Sequence, residues 1–339
     1  MTQDSSNDLK SWFVQEKRSF PWRDAPSPYA VWISEIMLQQ TRASVVVGYF
    51  MRWMKLFPSI EAVAKAPVEE LIKAWEGLGY YSRVRNIQKA AIFLQEKGSE
   101  LPASLQELLE LPGIGPYTAG AIVSFAFHQK AAAVDGNVAR VISRYYGLEG
   151  EVKRSLLEEK TSLFLPEEEP WVVMEALIEL GATLCQKTPK CKECPLQSSC
   201  EAHLQEKTEF IPAKKKKQDS IYLHKQVFII MHEEEVLIEK KKEGQVLGGL
   251  MEFPSFPYSN EQEFIPSHFS FLMEWVEDLP QEKQSFTKYQ VDLSSSIFRA
   301  LEKKDIDGYK WIKIDSLTSL TFSSGHKRIL QRLLEVNII

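Results

Sequence analysis

The sequence predicts a multidomain chain, all-α first and α+β afterwards, and three observations predict it. From about Asp8 to Glu201 apolar residues recur at helical spacing, and proline and glycine interrupt them often enough to make many short helices. After Phe210 comes Pro212-Ala-Lys-Lys-Lys-Lys217, a proline and then four lysines, which reads as a solvated tether. Beyond it the pattern changes to β-rich runs between turn residues. The expected boundaries are 1–205 for the helical domain, 206–220 for a basic linker and 221–339 for a smaller α+β domain.

Composition narrows the classes. At 339 residues, two domains are the default. A hydrophobic share of 44% with 26% charged residues is that of an ordinary globular protein, and no apolar run is long enough to span a bilayer. The polar start, Met1 to Asp8, lacks the basic and apolar regions of an export signal, so a cytoplasmic location with reduced thiols is expected. A net charge of -5 argues against a uniformly basic nucleic-acid coat and leaves room for a local basic face.

The helical part carries two carboxylates in opposite settings. Val31-Trp-Ile-Ser-Glu35-Ile-Met-Leu-Gln-Gln-Thr41 is apolar nearly all round, the pattern of a buried helix. Burial should raise the pKa of Glu35 so that it keeps its proton near neutrality; the alternative is a buried ion pair with Arg23 or another base. Leu71, Ile72 and Trp75, then Leu105, Leu108, Leu109 and Leu111, mark further amphipathic helices. The last of these ends in Leu111-Pro-Gly-Ile-Gly-Pro-Tyr117. There Gly113 and Gly115 turn the chain and Pro116 suits the first turn of the next helix. Backbone N–H groups then point outward together as an uncharged site for a DNA phosphate, a helix–hairpin–helix pattern; a plain helix–helix turn is the alternative. Asp135, in Ala131-Ala-Ala-Val-Asp135-Gly-Asn137, stands at the expected start of a helix, whose positive end favours the ionised form. The alternative is a plain N-cap. One neutral donor and one anion make the split pair that acid-assisted cleavage of a glycosidic bond uses.

All four cysteines fall within sixteen positions, Cys185, Cys191, Cys194 and Cys200, spaced C-x5-C-x2-C-x5-C. Four thiolates in one loop can wrap a cube-shaped iron–sulfur cluster, the preferred reading. Zinc is the rival, although structural zinc usually takes two separated knuckles, and disulfides would need an oxidising compartment. Lys187, Lys190 and Lys192 around the loop suit backbone phosphates or are ordinary surface charge. In the C-terminal part, Gln226–Met231 and Val236–Glu239 are expected strands about a turn at His232–Glu235. Phe286–Leu293 and Tyr309–Ile314 are further expected strands, and Ser324–Val336 is an expected terminal helix.

With hairpin, downstream aspartate and four cysteines in this order, the chain resembles the helix–hairpin–helix DNA glycosylases of the endonuclease III superfamily, and within it the adenine DNA glycosylase (MutY) family. Phe20-Pro-Trp-Arg23, Ser34-Glu-Ile-Met-Leu-Gln-Gln-Thr41, Gly77-Leu-Gly-Tyr-Tyr-Ser-Arg83 and Val134-Asp-Gly-Asn-Val-Ala-Arg140 carry the likeness. The resemblance implies a monofunctional, base-flipping repair enzyme that removes adenine mispaired with 8-oxoguanine or guanine, holds one 4Fe-4S cluster on the four cysteines and acts on double-stranded DNA as a monomer. It implies that Glu35 protonates the adenine and that Asp135 stabilises the sugar cation, with Asn137 and Tyr117 orienting the pair. It further implies DNA contacts by Arg23, Gln40, Thr41, Leu78, Tyr80, Gly113 and Gly115, with Gln40 and Tyr80 as duplex wedges. Bifunctional relatives place a lysine at the position of Tyr117, and a phenol cannot form the Schiff base of a β-lyase. The C-terminal part resembles a Nudix-like lesion-recognition module that keeps the glycine segment Leu247-Gly-Gly-Leu-Met-Glu-Phe-Pro254 and lacks the Mg²⁺-holding carboxylate string. Two departures stand out. Five residues rather than the family's six separate the first two cysteines, and the family's lesion-reading Phe-Ser-His is here Phe286-Thr287-Lys288. The competing readings are an endonuclease III-like bifunctional glycosylase/lyase and a catalytically silent iron–sulfur DNA-binding protein.

Overall fold

The computed structural model describes residues 2–24, 26–98, 100–213, 219–242, 244, 246–258, 269 and 271–335. The chain divides into two compact units, Met1–Ala74 with Ser82–Lys216 and Trp75–Tyr81 with Lys217–Ile339. The helical part runs α1 (Thr2–Glu16), α2 (Pro21–Asp24), α3 (Pro28–Leu38), α4 (Ala43–Leu56), α5 (Ile60–Lys65), α6 (Val68–Trp75) and α7 (Ser82–Glu96). It continues through α8 (Leu105–Leu109), α9 (Pro116–Phe125), α10 (Gly136–Tyr145), α11 (Arg154–Phe164), α12 (Pro170–Thr183) and the single-turn α13 (Glu201–Leu204).

Three helices that carry the site residues start as their sequences dictate. Ser27 caps α3, its Oγ accepting from the Ala30 N–H at 3.1 Å, and Pro28 fills the first turn. α9 begins with Pro116 after Gly115, and α12 with Pro170. α3 is the centre of the unit: Trp32, Ile33 and Met37 are wholly buried, and the helix packs on α4 and α9. α10 packs on α12.

Within the expected solvated tether, Ile211 differs from that reading, while Phe210 is exposed as expected. Ile211 is buried, and its carbonyl accepts from Arg144 Nε at 2.8 Å, so the chain after α13 is fastened to the helical unit. Lys214 to Lys217 lie outside the described residues.

The second unit holds a seven-stranded mixed sheet of β1 (Ile221–His232), β2 (Glu235–Lys240), β3 (Met251–Glu252), β4 (Ser255–Pro257), β5 (Met273–Phe286), β6 (Tyr289–Ala300) and β7 (Tyr309–Lys313). The order is β3-β2-β1-β6-β5, with β4 added to β1 and β7 to β2; β1 and β6 run parallel, with Ile221 opposite Tyr289 and Met231 opposite Arg299. The helix α14 (Ser324–Glu335) covers one face through Ile329, Leu330 and Leu333 against Val227, Ile229, Val291 and Leu293. A second apolar cluster of Phe228, Ile230, Leu237, Phe269 and Phe271 is packed with Phe256 and Phe298.

One expected strand is wrong as drawn. Phe286–Leu293 straddles a hairpin: β5 ends at Phe286, Thr287 turns with φ of 49°, and β6 begins at Tyr289. β5 escaped notice because it reads Met-Glu-Trp-Val-Glu-Asp-Leu-Pro-Gln-Glu-Lys-Gln-Ser-Phe, mostly exposed and without apolar alternation. Pro280 sits where the register shifts between Leu279 and Glu282, a bulge that spares the sheet a missing donor.

Candidate active site

Glu35, Tyr117, Asp135 and Asn137 line one cavity of about 1210 Å³ in the first unit, together with Arg23, Gln40 and Thr41. Four separate helices or their leading turns supply them: α3 for Glu35, α9 for Tyr117, the entry to α10 for Asp135 and Asn137, and α2 for Arg23.

Glu35 is 5% exposed, on a helix buried nearly all round, as its sequence implied. Its Oε2 accepts from the Tyr117 hydroxyl at 2.6 Å. Burial pushes its carboxyl up to about 7, against the lowering effect of the Tyr117 hydrogen bond and with further raising by the charges of Asp135 and Glu175. Burial and the neighbouring carboxylates hold the Tyr117 phenol far above its ordinary range, so it stays a hydrogen-bond donor. Arg23 does not form the alternative pair with Glu35. It turns to α12, bonding Glu179 at 3.0 Å and lying 3.8 Å from Glu175.

Asp135 is both N-cap and cavity wall. Its Oδ1 accepts from the backbone N–H groups of Asn137 and Val138 at 2.9 and 2.7 Å, and its Oδ2 accepts from Asn137 Nδ2 at 2.9 Å. The helix terminus was expected to favour its ionised form; burial is the larger influence and raises its pKa, while the three donors and Arg140 oppose that rise. Glu35 has one such donor and Asp135 three, so the anion is the better supported form at Asp135.

The cavity also holds residues that sequence reading passed over. Glu175 faces it from α12, its carboxyl raised by burial. Glu179, one turn on, is also buried, but the guanidinium groups of Arg18 and Arg23 hold it low. Arg23 lies between two rings, 5.4 Å from Phe13 and 5.2 Å from Phe20. His128, in the left-handed region at φ 55°, stacks on Trp171 at 4.6 Å. The available signal was the Glu175–Glu179 spacing, which puts two carboxylates on one face of an apolar helix.

The hairpin is as drawn at Gly113 and different at Gly115. Gly113 has φ of 81°, and a β-carbon there would lie 2.6 Å from Asn86 Cβ. Gly115 has φ of -96°, open to any residue, and nothing lies within 4 Å of a β-carbon built on it. Its contribution is therefore an uncapped, unshielded start to α9 rather than the turn itself. Gln40 and Tyr80 both hold left-handed backbones, φ 58° and 49°, and Tyr80 is 47% exposed, which removes core packing as its role. Leu78 is buried. Phe286, Thr287 and Lys288 form the β5–β6 hairpin tip in the second unit, where Lys288 Nζ lies 5.7 Å over the Tyr289 ring.

The four cysteines are unlinked thiols in one loop. Burial lifts the Cys194 thiol to about 12, and the other three sulfurs add to that rise, so they share one neighbourhood. Backbone amides of Leu196 and of Ala202 and His203 hydrogen-bond Cys194 and Cys200. Arg144 Nη1 donates to Cys185 Sγ at 3.4 Å and to the Gln186 carbonyl at 2.6 Å. Among the described residues no group of three or more His, Cys, Asp or Glu is arranged to hold a metal ion. The donor chemistry nonetheless suits thiolates: amide and guanidinium N–H groups surround sulfurs whose ionisation needs a positive partner. Arg140 and Arg144 were missed as loop anchors; their i,i+4 spacing on an amphipathic helix was the legible sign. Among the described residues no helix is long and apolar enough to cross a membrane.

Comparison with known proteins bears on this geometry. Residues 33–167 match the HhH-GPD superfamily of base excision DNA repair proteins, and residues 226–332 match the NUDIX domain family. The adenine DNA glycosylase of Buchnera aphidicola subsp. Baizongia pistaciae is 38% identical over 250 residues, covering 72% of this chain and 71% of that protein. The adenine DNA glycosylase of Rattus norvegicus is 41% identical over 210 residues, 58% of this chain, which spans 41% of the rat protein's length. Among solved structures, a thermostable thymine-DNA glycosylase matches with a TM-score of 0.56 and 27% identity over 60% of this chain and 97% of its own. A trapped endonuclease III–DNA covalent intermediate matches with a TM-score of 0.54 and 26% identity over 61% of this chain and 98% of its own.

Proposed function

The chain belongs to the adenine DNA glycosylase family, and from that premise we propose that it hydrolyses the N-glycosidic bond of adenine mispaired with 8-oxoguanine or guanine in double-stranded DNA. The observation that carries the reading is the placement of Glu35, hydrogen-bonded to Tyr117, in one cavity with Asp135. The reacting atoms of a stacked base are out of reach, so the adenosine must leave the helix to enter that cavity. Tyr117 holds Glu35 Oε2, which leaves Oε1 to carry the proton to the adenine ring. The C1′–N bond then breaks with its electron pair leaving on adenine. The Asp135 carboxylate stabilises the oxocarbenium, and water completes the hydrolysis to an abasic site.

The activity is monofunctional, because no lysine takes the place of Tyr117 and its phenol stays protonated. In a duplex with A opposite 8-oxoguanine, the purified protein should release adenine while leaving the strand whole until alkali is added. Rapid nicking without alkali would favour the bifunctional reading. Asp135→Asn should still bind that duplex and release no adenine, and unimpaired turnover would remove the anion from the mechanism.

Cys185, Cys191, Cys194 and Cys200 would hold one 4Fe-4S cluster, whose positive iron would keep their sulfurs ionised. The protein should be yellow-brown with equal iron and sulfide; colourless, zinc-loaded and active protein would exclude the cluster. The division of labour follows 1–205 for excision and 221–339 for reading the oxidised base through Phe286, Thr287 and Lys288, joined by 206–220, whose Ile211 is fastened to the helical unit. The enzyme acts as a monomer in the cytoplasm. Gln40, Thr41, Leu78 and Tyr80 open the duplex, and the Gly113–Gly115 hairpin grips a phosphate.

A further inference from the structure

The turn that delivers Asp135 is pressed between two glycines that leave no room for a side chain. A β-carbon on Gly120 of α9 would lie 2.2 Å from the Ala132 carbonyl oxygen, 3.0 Å from its carbon and 3.3 Å from Ala133 Cα. A β-carbon on Gly181 of α12 would lie 2.6 Å from Asn137 Cβ, 3.0 Å from the Asn137 carbonyl oxygen and 3.1 Å from its carbon. Every atom met is backbone or the first side-chain carbon. None can swing aside as the end of a flexible chain could, so a methyl group at either position must push the whole 132–137 segment.

Both glycines lie inside helices, where glycine is a poor residue, and neither has a left-handed backbone to account for it. Lack of a side chain is the property in use. Gly120 lies one turn beyond Tyr117, which bonds Glu35 at 2.6 Å. Ala132 precedes Asp135 by three residues, and Asn137, held by Gly181, donates to Asp135 at 2.9 Å. The two close approaches therefore act on the same carboxylate from opposite directions along the chain.

We propose that Gly120 and Gly181 are positioning residues that set the distance between Asp135 and the Glu35–Tyr117 pair, so that one extruded nucleotide meets both carboxyls. The inference rests on the adenine-excision reading. A parent enzyme that releases no adenine would defeat that reading, whereas an active parent with equally fast glycine variants defeats only the positioning claim.

The test is single-turnover adenine release and duplex Kd for Gly120→Ala and Gly181→Ala, with Gly48→Ala as control because nothing lies within 4 Å of a β-carbon there. Displacement of about 1 Å at a reacting group slows chemistry by about 10²-fold, the expected loss for Gly120→Ala, with Kd within about threefold of the parent and the control unchanged. Adding Asp135→Glu, which lengthens the side chain by one methylene, should recover part of that loss in the Gly120→Ala background while slowing the parent. Parent-like rates in both glycine variants would overturn the proposal. So would an equal loss of binding and rate, or unfolding of both variants, since each assigns the glycines to general packing.

Discussion

At the scale of single residues, the burial of Glu35 carries a pH-dependent cost. Burial moves its pKa from an ordinary 4.5 to about 7. Between those values the folded protein holds a proton that the unfolded chain has released, so stability falls as pH rises through that interval and is level above it. The penalty at pH 8 is about 3 kcal/mol on the usual scale of 1.36 kcal/mol per pH unit. Glu35→Gln should therefore raise the melting temperature at pH 8 and leave it little changed near pH 4, while reducing adenine release by at least about 10²-fold. Paired thermal melts at the two pH values check the first outcome and single-turnover assays the second. The parent's rate should decline as pH rises through about 7, because the donor is lost as it ionises. Asp135 stands in contrast: it shares the burial but has three donors on its oxygens, which favour its anion as the single donor at Glu35 does not.

At the scale of elements, the helix termini were the legible parts. Gly115-Pro116 and Asp135-Gly136 are start signals, and each opens the helix expected; Ser27-Pro28 opens α3 in the same way. The hairpin between α8 and α9 depends on Gly113 more than Gly115. Gly113→Ala combines an unfavourable φ of 81° with a 2.6 Å approach to Asn86 Cβ. That change should cost about 1–3 kcal/mol, seen as weaker duplex binding or a lower melting temperature. Gly115→Ala should fold normally, since its φ is ordinary and the space around it is open. The strand β5 shows where element reading fails. Its edge position exposes most side chains, so the alternation that betrays a half-buried strand is missing, and Pro280 argues against a strand until the bulge is seen.

At the scale of the whole molecule, two compact units divide the residues proposed for excision from the Phe286-Thr287-Lys288 tip proposed for lesion reading. The first holds the cavity and the cysteine loop, which Arg140 and Arg144 tie to α10 through the carbonyls of Cys185, Gln186 and Lys187. The second holds the Phe286-Thr287-Lys288 tip on a turn whose Thr287 has φ of 49°. Lys288→Ala should narrow the preference for adenine opposite 8-oxoguanine over adenine opposite guanine by up to about tenfold, equivalent to about 1.4 kcal/mol, while leaving the single-turnover limit intact. Excision kinetics on the two duplexes measure it, and an unchanged ratio would move lesion reading elsewhere.

Local sequence carried the change from helices to strands, the helix starts at Pro116 and Asp135, the placing of Glu35 on a buried helix, and the single loop of four thiols. These are local properties, written in periodicity and in residues whose backbone preferences act over a few positions. Only the tertiary structure decided that Tyr117 bonds Glu35, that Arg23 turns to Glu175 and Glu179, and that Ile211 is fastened by Arg144. Those pairings join residues distant in sequence, and in a close-packed interior their partners are chosen by volume and by the need to satisfy buried polar groups, which no local pattern records.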